Sequence, residues 1–123
     1  MKLSRAKFEQ VVAEALDELP EEIAEVLTNI SVFVEQWPSA ETLKQMNLRS
    51  RFSLLGLYEG IPLTCRDTNY SGVLPDRITI FQGPIESVGK TRSELRDEIK
   101  SVVVHEIAHH FGIDDERIRE LGY

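Results

Sequence analysis

The sequence predicts an α+β fold for a chain of 123 residues. Three observations carry this expectation. A strongly amphipathic helical stretch lies near the N-terminus. Two β-branched alternating runs occupy residues 30–37 and 77–82. A long, well-capped helical segment runs over residues 92–111. Hydrophobic residues make up 41% of the chain and charged residues 28%, which suits a globular protein. The length suits one domain over residues 1–123, a small mixed few-stranded sheet packed against helices.

Phe8, Val11, Val12, Ala15, Leu16 and Leu19 fill one face at helical spacing, with Glu9, Gln10, Glu14, Asp17 and Glu18 opposite. Pro20 ends this helix or opens the next, and acidic Glu21 and Glu22 suit the first turn of a short helix up to Leu27. Ile30, Val32 and Val34 then alternate as a strand that Pro38 stops. Ser39 is positioned to cap a short helix over residues 40–46. Residues 54–58 read as a short strand inside a Gly- and Pro-punctuated stretch that continues as a long loop to Asp76. Ile78 and Ile80 mark a further strand over 77–82, which Gly83-Pro84 is expected to end. Thr91-Arg92-Ser93-Glu94 has the capping-box pattern. The helix it starts should stop at Gly112, where glycine supplies a left-handed residue. A last short helix is expected over residues 115–121.

Charge and cysteine content narrow the function. A formal net charge of -7 and a pI near 5.0 disfavour phosphate backbones and anionic membranes, so neither nucleic acid nor membrane is an expected partner. A metal-dependent ribonuclease is disfavoured on the same ground. Cys65 stands alone, so no intrachain disulfide forms. The basic N-terminus leads into charged residues rather than an apolar run, and no segment reaches membrane-spanning length. The expected location is the cytoplasm.

The chemistry concentrates at His105-Glu106-Ile107-Ala108-His109, followed by Gly112 and Asp115: H-E-x-x-H-x-x-G-x-x-D. Histidines four apart on a helix share a face, so their imidazoles can reach one metal ion. Glu106 between them can act as general base on a metal-activated water, and Asp115 beyond the turn is the expected third ligand. At roughly 100° per residue, Leu95, Ile99, Val102, Val103, Glu106 and His110 fall within an arc of about 100°. The expected core stripe therefore carries a carboxylate, which apolar surroundings disfavour unless it is paired or near a cation. Broken local rules at one place mark a functional site. His110 points about 100° away from His109 and reads as a core histidine or a support for the site. Tyr58, Tyr70 and Arg77 read as packing residues, with substrate orientation or oxyanion stabilisation as their alternative role.

These residues resemble the zincin-like metallopeptidases, specifically the small single-domain bacterial members. The likeness extends to Leu57-Tyr58-Glu59-Gly60-Ile61-Pro62-Leu63, to Gly72-Val73-Leu74-Pro75-Asp76-Arg77-Ile78, and to Gly83-Pro84-Ile85, covering about residues 54–115. It implies a compact α+β fold with a sheet beside the motif helix. It also implies Zn2+ held by His105, His109 and Asp115, Glu106 as catalytic base, and a peptide or protein substrate. The sheet edge beside the cleft would pair with extended peptide, and residues 77–82 are the expected edge strand. Larger metzincins carry histidine where this chain has Asp115, and a methionine below the metal, whereas Met1 and Met46 lie far upstream. The sequence ends eight residues after Asp115, so the subdomain that walls the cleft in those enzymes is expected to be absent. That leaves a non-catalytic metal-binding interaction module as the alternative to a peptidase.

Overall fold

A computed structural model describes residues 1–60 and 76–123. Pro62, Cys65, Tyr70, Gly72 and Pro75 fall outside the described residues.

The Ser4 hydroxyl caps the first helix, α1 (Arg5–Asp17), by accepting from the Lys7 N–H. Phe8, Val11, Val12 and Ala15 form its buried face, as the periodicity predicts. Pro20 stands at the N-cap of α2 (Glu21–Leu27), which buries Ile23. β1 (Ile30–Glu35) follows, then α3 (Ala40–Gln45) with Ser39 accepting from the Thr42 N–H. A short 3-10 turn, Arg51–Ser53, leads into β2 (Gly56–Glu59). After the undescribed stretch come β3 (Asp76–Phe81), α4 (Gln82–Val88), α5 (Arg92–Phe111) and α6 (Asp115–Glu120). The molecule is α+β, as predicted.

The sheet is mixed, in the order β1-β3-β2. β1 runs parallel to β3 with Val32 opposite Ile78, and β2 runs antiparallel with Tyr58 opposite Ile78. β3 is therefore the central strand. The expectation that residues 77–82 form the cleft-side edge is corrected: among the described strands, that edge is β2. Ile78, Thr79, Ile80 and Phe81 are all buried, as a strand covered on both faces requires.

The strand ends just before Gly83-Pro84, as expected. β3 passes straight into α4, with Pro84 in the first turn, where its missing N–H has no helical partner to lose.

α5 organises the core. Thr91 accepts from the Glu94 N–H at 3.1 Å, and Glu94 accepts from the Lys90 N–H at 2.8 Å. Gly112, at φ 70° and ψ 29°, ends the helix as expected. The buried residues are Leu95, Ile99, Val103, Val104, Ile107 and Ala108, an arc of about 220° rather than the narrow stripe the sequence suggests. α1 packs against α5 from one side, and β2 and α4 from others. Glu106 points between Leu95 and Ile99, inside that arc, yet is only half-buried, and His110 is exposed rather than in the core. The bases of α5 point at α1: Arg92 meets Glu14 at 2.7 Å, Arg96 meets Glu18 at 3.2 Å, and Lys100 meets Glu18 at 3.3 Å. Arg117 of α6 pairs with Glu22 of α2 at 2.9 Å. No helix among the described residues is long and apolar enough to cross a membrane.

Candidate metal and catalytic site

His105 and His109 stand one turn apart on the sector of α5 outside the buried arc. His105 is half-buried and His109 exposed. The His105 Nδ1 lies 2.7 Å from the Ser101 carbonyl oxygen and 3.3 Å from the Ser101 hydroxyl. A carbonyl accepts only, so Nδ1 carries the proton and donates to it. The Nε2 lone pair then projects from the helix, free to bind a metal. This one-turn-back contact is inherent in the helix, and Ser101 is a participant that sequence reasoning missed.

Glu106 is half-buried between α5 and β2. One of its oxygens, Oε2, accepts from the Tyr58 backbone N–H at 3.1 Å. Burial pushes the Glu106 carboxyl above its ordinary range, opposed by the Tyr58 hydrogen bond and by His109 and His105. The result is a carboxylate with one oxygen fixed by the edge strand and a raised proton affinity.

Tyr58 is tied at its other end too. Its hydroxyl donates to Asp76 Oδ2 at 2.6 Å, and its ring stacks on His110 with centroids 3.9 Å apart. The His110 Nε2 lies 3.9 Å from the same Asp76 oxygen. Tyr58 thus packs, on the short strand the sequence suggests, and its backbone holds Glu106. His110 supports this arrangement from the helix. Asp76 carried no signal in the sequence beyond its place at the end of the loop, in a segment that resembles the family. Arg77 is committed to the sheet surface, 3.8 Å from Glu35, 3.9 Å from Glu59 and over the Phe33 ring. That is a packing role.

Asp115 is the first residue of α6 and is exposed. Asp114 makes the cap, accepting from the Arg117 N–H at 2.8 Å, so the Asp115 carboxylate is not used there. Among the described residues no three His, Cys, Asp or Glu side chains are grouped to hold a metal ion. The histidine pair and Asp115 are therefore not brought into one ligand set. The donor types still suit zinc: two imidazoles on adjacent turns, one of them oriented through its Nδ1 by the Ser101 carbonyl.

A cleft of about 280 Å³ opens between α5 and the segment leading into β2. Leu54, Leu55, Gly56 and Val102 supply apolar wall, and His105 and Glu106 stand at its edge. A larger cleft of about 490 Å³ lies by Trp37 and Arg51, away from every histidine.

With this geometry in view, the class is defined. The family model for zincin-like metallopeptidases matches residues 27–123, and the chain belongs to that family. Among solved structures it is similar to a conserved hypothetical protein of T. thermophilus. The two share 22% sequence identity and a TM-score of 0.50 over 89% of this chain and 94% of that one. That likeness speaks for the fold. No curated protein matches the chain.

Proposed function

We propose that the protein is a zinc-dependent peptidase, hydrolysing peptide or related amide bonds. The observation that carries the proposal is the pairing of a tautomer-fixed His105 with a half-buried Glu106 held by the edge strand. His105 and His109 would hold the zinc, with Asp115, next in sequence beyond the Gly112 turn, as third ligand. Bound there, zinc would polarise the scissile carbonyl and lower the pKa of water from about 16 towards about 7.

The protein's own residues account for the remaining work. Glu106 keeps one oxygen on the Tyr58 N–H, which leaves the other to take the water proton and deliver it to the leaving amine. Its raised proton affinity suits that exchange, because a base is most effective near the working pH. β2, the strand beside Glu106, is the strand along which an extended peptide would add. The ties from Tyr58 to His110 and Asp76 hold β2 against α5 while the base acts.

A direct test is cleavage of a broad peptide library by the zinc-loaded protein and by Glu106→Gln. The proposal expects cleavage by the parent and a loss of about 100-fold or more in the variant. Cleavage undiminished in Glu106→Gln overturns the mechanism. The described residues lack a grouped third ligand, and that favours a second reading, a zincin-fold module that binds a partner protein without cutting it. Stable capture of one partner, with no cleavage by the parent, is its signature.

A further inference from the structure

We propose that Glu98 is a specificity-determining residue that recruits peptides carrying a lysine or arginine close to the cleaved bond. This rests on the peptidase reading of the same site.

Glu98 lies seven residues before His105 on α5, two turns away and within about 20° of the same helical direction. Both residues line the cleft between α5 and the approach to β2. Glu98 is half-buried, and no described residue forms an ion pair with it. Its distance from His105 along the helix axis is about 10 Å, the length of about three residues of extended peptide. A basic residue within three positions of the scissile bond can therefore meet it.

The surroundings select for charge. Among the described residues, no lysine or arginine lines this cleft. The bases of α5 are committed elsewhere, Arg92 and Arg96 to Glu14 and Glu18, and Lys100 to Glu18 and Asp97. Glu98 also borders a neighbouring depression whose lining cation is that same paired Lys100. The apolar wall of Leu54, Leu55 and Val102 suits the methylene stem of a long basic side chain, and Glu98 suits its charged end. The cleft's volume, about 280 Å³, falls just below the usual range of small-ligand pockets and fits a single side chain. A formal net charge of -7 adds long-range attraction for the same substrates.

The test uses the full zinc-loaded chain and short alanine-based peptides differing at one position: lysine, norleucine or glutamate. Cleavage is followed on the wild type and on Glu98→Gln and Glu98→Lys, and binding of dye-labelled peptides on Glu106→Gln with and without Glu98→Gln. The expected result is a preference of roughly fivefold for lysine over norleucine at low ionic strength, shrinking with added salt. It should collapse in Glu98→Gln at unchanged Tm and turn towards glutamate in Glu98→Lys. A lysine preference that survives Glu98→Gln, or no preference in the wild type, overturns the proposal. Cleavage without charge preference leaves the peptidase standing and removes Glu98. Charge-selective binding without cleavage does the reverse, and no binding of any peptide overturns both.

Discussion

Gly56→Ala tests how closely the edge strand must approach the motif helix. An added Cβ would lie within 3.0 Å of Val102 Cγ1 and 3.2 Å from the Thr79 carbonyl oxygen. Ordinary carbon–carbon contact is about 3.5–4.0 Å, so the overlap with Val102 exceeds half an ångström. Neither neighbour yields easily. Val102 is β-branched on a helix and largely confined to one rotamer, and Thr79 contributes backbone of the central strand, paired on both sides. An off-rotamer Val102 costs about 0.5–1.5 kcal/mol and overpacking as a whole about 1–3 kcal/mol. The alternative, an outward shift of β2, would carry the Tyr58 N–H away from Glu106. Urea unfolding followed by circular dichroism should show a loss of about 2 kcal/mol, the middle of that overpacking range. Adding Val102→Ala should relieve it, with a favourable coupling of about 1 kcal/mol. A Gly56→Ala chain within about 0.5 kcal/mol of the parent, or no coupling to Val102→Ala, would refute the packing argument.

Three further outcomes follow from the same structure. Burial raises the Glu106 pKa, so the folded metal-free chain binds more protons than the unfolded one between the ordinary carboxylate pKa and the raised value. Stability falls as pH rises through that window. Glu106→Gln should therefore raise Tm at pH 7 without metal, in the ~0.5–2 kcal/mol range of stabilising substitutions, and the gain should vanish on acidification below the ordinary carboxylate pKa. Gly112→Ala should cost about 1–2 kcal/mol in denaturant titrations, because the Gly112 φ of 70° penalises a Cβ, and Gly112→Asn should cost less. The Arg92 hydrogen bond holds Glu14 below its ordinary pKa, and the Arg117 hydrogen bond does the same for Glu22. Both contributions are present at neutral pH and lost on acidification, so Arg92→Ala and Arg117→Ala should each flatten the acid limb of a stability profile.

The local features of this fold were legible because local chemistry determines them. Ser39 and Thr91 cap the helices they precede, and Gly112 ends the helix it follows. The spacing of Phe8 to Ala15 marked the buried face of α1. What the sequence could not supply is set by contacts far along the chain. Strand order depends on where β2 returns after α3, and no pattern within residues 77–82 marks them as central. A run of Ile, Thr and Phe suits either place. The burial of α5 was misjudged for a related reason. A single stripe assumes one packing partner, whereas α1, α4 and β2 all meet this helix.

The site divides the same way. His105, Glu106 and His109 are readable from their spacing on one helix, and Ser101 one turn earlier follows from that helix. Tyr58, Asp76 and His110 come together across 52 residues of sequence between the first and the last, and only the sheet places them. The Gly83-Pro84 pair shows the limit of punctuation. Proline serves equally to end a strand and to sit in the first turn of a helix, and here it does both.

The central claim is that His105 and His109 form a zinc site served by Glu106. Its most direct test is the metal content of the purified chain, by elemental mass spectrometry, in the wild type and His109→Ala. The account predicts close to one zinc per chain in the wild type and its loss in the variant. A folded wild-type chain that carries no zinc at neutral pH in zinc-replete medium would contradict it.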